Sequence, residues 1–393
     1  MIAALFDSLF NGLSIGAVLL ISALGLAIVF GLMGVINMAH GELMMLGAYT
    51  TFVVQNGFNV LGKSWFDLYI FFALPMAFLI AAAMGLILER GVIRYLYGRP
   101  LETLLATWGV SLILQQFVRS VNWVLAIALI LFCLLFFGAL WILSRRPEIE
   151  RIRNWVVAVM LPLSIGIAWA TGAFLAQTYK LAVTQPWFGA QNVNVTAPHW
   201  LQGNLPLFGL TLPYTRLFII GLTILCVAAI YLFLQRSAWG LRIRAVTQNR
   251  SMSSCLGIPT QKVDALTFAL GSGLAGVAGC AISFLGSVGP NTGQNYVVDT
   301  FMVVVVGGVG KLVGSIVAAL AIGTVNYLIG SGVLVTSIPA PLLTIEPFKS
   351  LADLLTFFSS TSMAKVIVFA LIIVFLQVRP GGIFPQKGRT VDA

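Results

Sequence analysis

Eleven apolar segments, near 9–31, 40–57, 67–88, 103–118, 122–144, 155–176, 214–234, 263–286, 296–309, 312–332 and 363–378, constrain this chain more than any other feature. A run of about 20 apolar residues is the length of a helix that crosses the hydrocarbon core of a bilayer. In water, a chain with so many such runs could not hide all its apolar faces, whereas lipid solvates those turned outward. Composition points the same way: 59% of residues are hydrophobic and only 9% are charged, against about 25% charged in a soluble domain. The 39 glycines suit membrane helices that approach closely. The fold class is therefore all-α and polytopic, with about nine core spans plus an inserted two-helix hairpin. Segments 40–57, 103–118 and 296–309 are short or interrupted by glycine, which makes them candidates for broken or re-entrant helices.

The net charge of +10 is explained by topology. With the N-terminus outside and every segment crossing, sixteen of the 22 Lys and Arg residues fall on the cytoplasmic side, mainly in 89–100, 145–153 and 236–262. Only Lys63, Arg119, Lys180, Arg216, Lys349 and Lys365 remain outside. This is the bias expected of a membrane protein, and it puts the C-terminus in the cytoplasm. Membrane lipid is thus the expected partner, and nucleic acid is not. Residues Met1 to Asp7 lack a basic flank, so the first segment reads as a retained span and not a signal peptide. Cys133, Cys226, Cys255 and Cys280 are scattered, and they read as small core residues with no disulfide or metal role.

Two polar interruptions stand out. The run Gly31-Leu32-Met33-Gly34-Val35-Ile36-Asn37-Met38-Ala39-His40-Gly41-Glu42 sets Asn37, His40 and Glu42 between two apolar segments. Ionisable groups at membrane depth are costly, so these three are candidates to line a transport pathway. The competing reading is a cytoplasmic turn, with Glu42 a favourable anion near the start of the next helix. A metal site at His40 is not expected, because the second histidine, His199, lies in a distant polar loop. The other interruption, 242–258, is compatible with a helix up to Gly257, and Pro259 then blocks simple continuation. A short cytoplasmic helix between two spans can dock a partner or simply be an amphipathic surface helix.

The run Val303-Val304-Val305-Val306-Gly307-Gly308-Val309-Gly310-Lys311-Leu312 resembles a phosphate-binding loop but fails its pattern. Val305 stands where glycine is needed, and Leu312 where Ser or Thr would meet Mg²⁺. The glycines fit a tight turn between helices instead. With two histidines and no converging catalytic groups, the chain is not expected to be an enzyme, to hydrolyse ATP by itself, or to hold a cofactor. Residues 122–187 form an apolar hairpin around a charged loop, and 188–213 form a polar outer loop. The chain is thereby divided into an N-terminal part of the core, 1–121, the inserted hairpin, 122–187, and a C-terminal part, 188–393, containing the segment near 242–258.

Several runs resemble the permeases of the branched-chain amino-acid family of ATP-binding-cassette importers. They are Gly34-Val35-Ile36-Asn37 through Ala39-His40-Gly41-Glu42 with Leu46-Gly47-Ala48-Tyr49, then Arg244-Ala245…Gly257-Ile258, and the ending Arg379-Pro380-Gly381-Gly382-Ile383-Phe384. The resemblance implies that Arg244, Ala245, Asn249, Gly257 and Ile258 present a coupling helix to an ATPase. It also implies a bacterial plasma-membrane complex of two permease subunits, two cytoplasmic ATPase subunits and a soluble solute-binding protein. Within the family, Arg99-Pro100-Leu101-Glu102-Thr103, Phe188-Gly189-Ala190-Gln191-Asn192 and Phe384-Pro385-Gln386-Lys387-Gly388-Arg389 are closer to the urea importers. The implied substrate is urea or a short-chain amide, with branched-chain or other amino acids as the alternative. A passive channel or secondary transporter is an alternative of another class. In the urea pattern Arg119-Ser120-Val121 runs almost directly into Phe188-Gly189-Ala190, so 122–187 is a departure from it.

Overall fold

The computed structural model describes residues 2–143, 149–179, 185–189, 191–207, 210–333, 356–357 and 361–384. The helices are α1 (Ile2–Met33), α2 (His40–Leu61), α3 (Lys63–Phe66), α4 (Tyr69–Gly91), α5 (Pro100–Ser120), α6 (Trp123–Leu143) and α7 (Ile149–Tyr179). A short antiparallel hairpin, β1 (Asn204–Leu207) and β2 (Leu210–Pro213), precedes α8 (Tyr214–Arg236), α9 (Ala238–Gln248) and α10 (Arg250–Cys255). Then come α11 (Thr260–Ile282), α12 (Thr292–Gly307), α13 (Leu312–Gly330) and α14 (Thr361–Val378). Each of the eleven apolar segments is carried by one of these helices. Among the described residues, seven helices are long and apolar enough to cross a membrane, and α6 and α14 contain shorter apolar helices. The charged loop at 144–148 and the end of the chain after Phe384 lie outside the described residues.

The chain forms two compact units, one of Met1–Ser111 with Val193–Ala393, the other of Leu112–Asn192. In the larger unit α1 and α11 are the central helices. Their apolar windows are 83% and 89% buried, against 22% for α8, whose remaining surface suits lipid. What lets two central helices be surrounded so closely is glycine. A β-carbon on Gly12 would lie 2.7 Å from Thr324 Cα, and one on Gly16 would lie 2.8 Å from the Ala319 carbonyl oxygen, so α1 and α13 run backbone against backbone. Gly276 of α11 is a three-helix meeting point. Its β-carbon would be 2.9 Å from the Ala77 carbonyl carbon on α4, while one on Gly47 of α2 would be 2.6 Å from the Gly276 carbonyl carbon. In lipid there is no apolar-burial gradient between helices, so close van der Waals contact of this kind drives association.

The turn between α12 and α13 resolves the false phosphate loop. Gly308 and Gly310 hold positive φ values of 96° and 79°, which only glycine adopts without strain. The ending Arg379–Phe384 docks on this turn, with the Ile383 amide donating to the Val306 carbonyl at 2.8 Å. At the other end of the bundle the polar loop is tied down by Asp67. Its carboxylate accepts from the His199 amide at 2.8 Å and lies 3.0 Å from His199 Nδ1, and the amide contact holds the carboxyl below its usual range.

In the smaller unit α6 and α7 pack together, with Gly172 facing Val124 and Ala128. The Trp187 amide donates to the Val121 carbonyl at 2.9 Å, and the Trp123 and Trp187 rings meet edge-on at 4.8 Å.

The glycine contacts predict an unequal response to substitution. Gly276→Leu should lower stability by about 1–3 kcal/mol or more, the usual range for overpacking. Gly57→Leu, which meets no atom within 4 Å, should leave the melting temperature of the purified protein nearly unchanged. Equal melting temperatures for the two variants would show that the close approach is not limiting.

Candidate functional site

The α1–α2 connection is a re-entrant break. Gly34, at φ 69°, caps α1 by donating its amide to the Phe30 carbonyl at 3.0 Å. The chain then doubles back, because His40, at the start of α2, is against the middle of α1 and not its end. His40 Nε2 lies 3.0 Å from the Ser22 carbonyl oxygen, and between Ser22 and Met33 an α-helix rises about 16 Å. Segment 34–39 is therefore irregular backbone inside the bundle, tolerated at membrane depth only where protein or a cavity surrounds it.

Some of its polar groups are satisfied by a hydroxyl from α5 and by its own Asn37. The Met38 amide donates to Thr107 Oγ1 at 3.1 Å, and the Ala39 amide to Asn37 Oδ1 at 3.1 Å. Ser111 Oγ donates to Glu42 Oε1 at 3.0 Å, and Glu42, in the first turn of α2, also sits at the positive end of the helix dipole. Asn37, His40 and Glu42 are all buried, at 2%, 0% and 1% exposure. Because a carbonyl only accepts, Nε2 of His40 carries the proton. Nδ1 of His40 and Nδ2 of Asn37 have no hydrogen-bond partner among the described residues. The first turns of α2 and α12 also touch, since a β-carbon on Gly41 would stand 2.7 Å from the Gly293 carbonyl carbon. Sequence reading picked out Asn37, His40 and Glu42 but missed Ser22, Thr107, Ser111 and Thr300, the hydroxyls that complete the cluster. Ser22 Oγ lies 3.0 Å from Thr300 Oγ1. The available signal was hydroxyls at positions 22, 107 and 111 within apolar runs.

The second polar interruption corrects the expectation of one helix. Segment 242–258 is carried by two helices, α9 and α10, broken at Asn249 with φ −152° and ψ 101°. Asn249 ends α9 by donating its amide to the Ala245 carbonyl, and starts α10 by accepting the Met252 amide on Oδ1 at 2.9 Å. An Asn N-cap offers its side-chain oxygen in this way, which is why it interrupts the helix here. Gly257 then ends the segment at φ 79°, and the Ile258 amide turns back to the Ser253 carbonyl at 3.1 Å. Arg244 Nη1 reaches Gln235 Oε1 at 2.9 Å. Arg250 links the segment to the bundle: its guanidinium lies 2.6 Å from Asp264 Oδ2 on α11 and stacks over Tyr97 at 4.9 Å. The Tyr97 hydroxyl in turn donates to buried Glu89 at 3.3 Å, and burial holds that hydroxyl above its ordinary pKa, so it remains a donor. Leu241 on α9, Met252 on α10 and Leu256 just after α10 are exposed.

These features define a many-helix membrane protein with a broken helix pair inside the bundle and a polar two-helix elbow at one end. A family of branched-chain amino acid transport system permease components matches residues 8–376, and the chain belongs to it. Curated relatives include the high-affinity branched-chain amino acid transport system permease LivH of Salmonella typhimurium, 25% identical over 96% of this chain and 94% of that protein. The corresponding protein BraD of Pseudomonas aeruginosa is 26% identical over 81% of this chain and 83% of its own length. The ribose import permease RbsC of Bacillus subtilis is 29% identical over 26% of this chain and 34% of its own. No solved structure matches significantly. The chain is thus a multi-pass permease component of an ATP-binding-cassette importer and not itself catalytic.

Proposed function

We propose that this permease brings a small amino acid, branched-chain first, into the cell, using ATP hydrolysed by two separate cytoplasmic subunits that dock on α9 and α10. The observation that carries the docking is the exposure of Leu241, Met252 and Leu256. This segment is too short and polar to span lipid, and exposed apolar residues there fit a protein partner. In this reading Arg244, Ala245, Asn249, Gly257 and Ile258 shape the docking elbow. The basic loops and the C-terminus face the cytoplasm of a bacterial cell, a second permease subunit completes the channel, and a soluble protein delivers solute to the outer face. Amino acids lead because the names of the long-coverage relatives carry them. Urea or a short amide is the second reading. It is favoured by the three runs noted above, and by the buried Asn37 amide and His40 Nδ1, a neutral donor and acceptor of the kind urea would satisfy.

Asn37, His40 and Glu42 belong, in this proposal, to the pathway, closed off here and reached when segment 34–39 moves. Residues 122–187 are an accessory hairpin outside the transport core. The adjacency of Val121 and Trp187 supports this, since removing what lies between leaves a short gap.

Three measurements in proteoliposomes containing the full complex test these readings. Labelled leucine should accumulate only with ATP and the ATPase subunits, and excess urea should not compete. Competition by urea would favour the second reading, and uptake without ATP would sink the docking role. His40→Ala and Glu42→Gln should each slow uptake about tenfold, the cost of a hydrogen bond to a charged or buried group of about 1.5–3 kcal/mol. Wild-type rates for both would leave only a turn and a cap. Joining Val121 to Phe188 should preserve assembly and uptake, whereas an assembled but inactive complex would put the hairpin in the mechanism.

A further inference from the structure

A second polar constellation lies at the opposite end of the bundle from α9 and α10. An open cavity of about 500 Å³ is lined by residues of α1, α8, α12, α13 and α14, within the size range of small-molecule sites. Arg216 stands in the first turn of α8. It is separated from Arg236, where α8 leads into the docking elbow, by a helix rise of about 30 Å. Lys365 and Asp299 form an ion pair at 3.1 Å, and Lys365 also donates to the Asn295 carbonyl at 3.2 Å. Arg216 spends one donor on the Asn11 carbonyl at 3.3 Å. Asp7 is tied to this group through Asn11, whose amide donates to Asp7 Oδ2 and to the Tyr327 hydroxyl, each at 3.1 Å.

Among the described residues the lining thus holds two cations and one anion, and the anion is already paired. We propose that this cavity binds the carboxylate of a small zwitterionic solute, with Arg216 as its anchor. This rests on the amino-acid reading of the preceding section and deepens it. A guanidinium presents two parallel N–H groups that match a carboxylate, and the match is strongest where water is partly excluded. The Tyr327 hydroxyl, accepting from Asn11, keeps its own proton to donate to the same anion. The solute ammonium meets the Asn326 amide oxygen on the same lining. Ile15, Leu19 and Leu285 complete the wall and suit an aliphatic side chain. Urea, uncharged, would leave the excess cation without a counterion.

The test uses the full chain in lipid nanodiscs and labelled L-leucine as probe. Leucine should bind and be displaced by leucine, while leucinamide, which lacks the carboxylate, and urea should compete about tenfold or more weakly. Arg216→Gln should lower leucine affinity by about tenfold or more, and Arg216→Lys by less, since it keeps the charge without the fork. Gel filtration and melting temperature check that the variants are folded, and the leucine–leucinamide comparison needs no variant. Equal competition by leucinamide, or wild-type affinity in folded Arg216→Gln, overturns the site. If the ATP-driven complex imports leucine and Arg216→Gln leaves both binding and uptake unchanged, only the cavity proposal falls. If wild type neither binds nor imports leucine, the amino-acid reading falls with it.

Discussion

Contact between glycine backbones is the interaction on which the rest of this structure depends. Lipid is as apolar as leucine, so burying side chains does not hold membrane helices together as it does in water. Closeness does, because dispersion attraction falls steeply with a gap. Gly276 lets α2, α4 and α11 meet at one level, and Gly12 and Gly16 let α13 lie along α1. With larger side chains at those positions the central helices would stand farther apart, and the space between them would need filling by something else.

That closeness explains how segment 34–39 can exist. Backbone without helical hydrogen bonds is affordable inside a bilayer only if nearby groups satisfy it. Gly25 is small enough for His40 to sit beside it, with His40 Cε1 3.1 Å from where a β-carbon would be. Thr107 and Ser111 then face the break from α5 and supply hydroxyls to Met38 and Glu42. The helix packing and the polar cluster are therefore one arrangement: move α1 from α11 and both Ser22 and His40 lose their positions.

The helices were legible in the sequence because a spanning segment is a local property, visible as a run of apolar residues. The placement of Arg90, Arg145 and Arg236 on one side is an expectation of the same local kind. The break at 34–39 was legible too, since glycines and ionisable residues do not belong between spans without cause. Its partners were not. Ser22, Thr107 and Ser111 look like ordinary small residues in apolar helices, and only packing brings them to the same place. The break at Asn249 was hidden for another reason: Asn is tolerated within a helix and preferred as its cap, and the Met252 amide it accepts from is a backbone group that almost any residue offers. Arg216 and Lys365 were seen only as outer-side positive charges. They lie 149 positions apart, so nothing local could join them to Asp299.

The placement of charge along the bundle has its own physical logic. A buried ion is costly unless paired, and its partner must come from a helix end where the chain can carry a long basic side chain to meet it. Asp264 meets Arg250 at the start of α11, and Asp299 meets Lys365 near the start of α14. Glu42 lies deeper, where it takes a serine hydroxyl and the positive end of its own helix instead. The two ion pairs consequently fasten opposite ends of the bundle, one joining the α9–α10 elbow to α11 and the other joining α14 to α12. Between them the contacts are glycine backbones and hydroxyls, which exchange partners at lower cost than ions do.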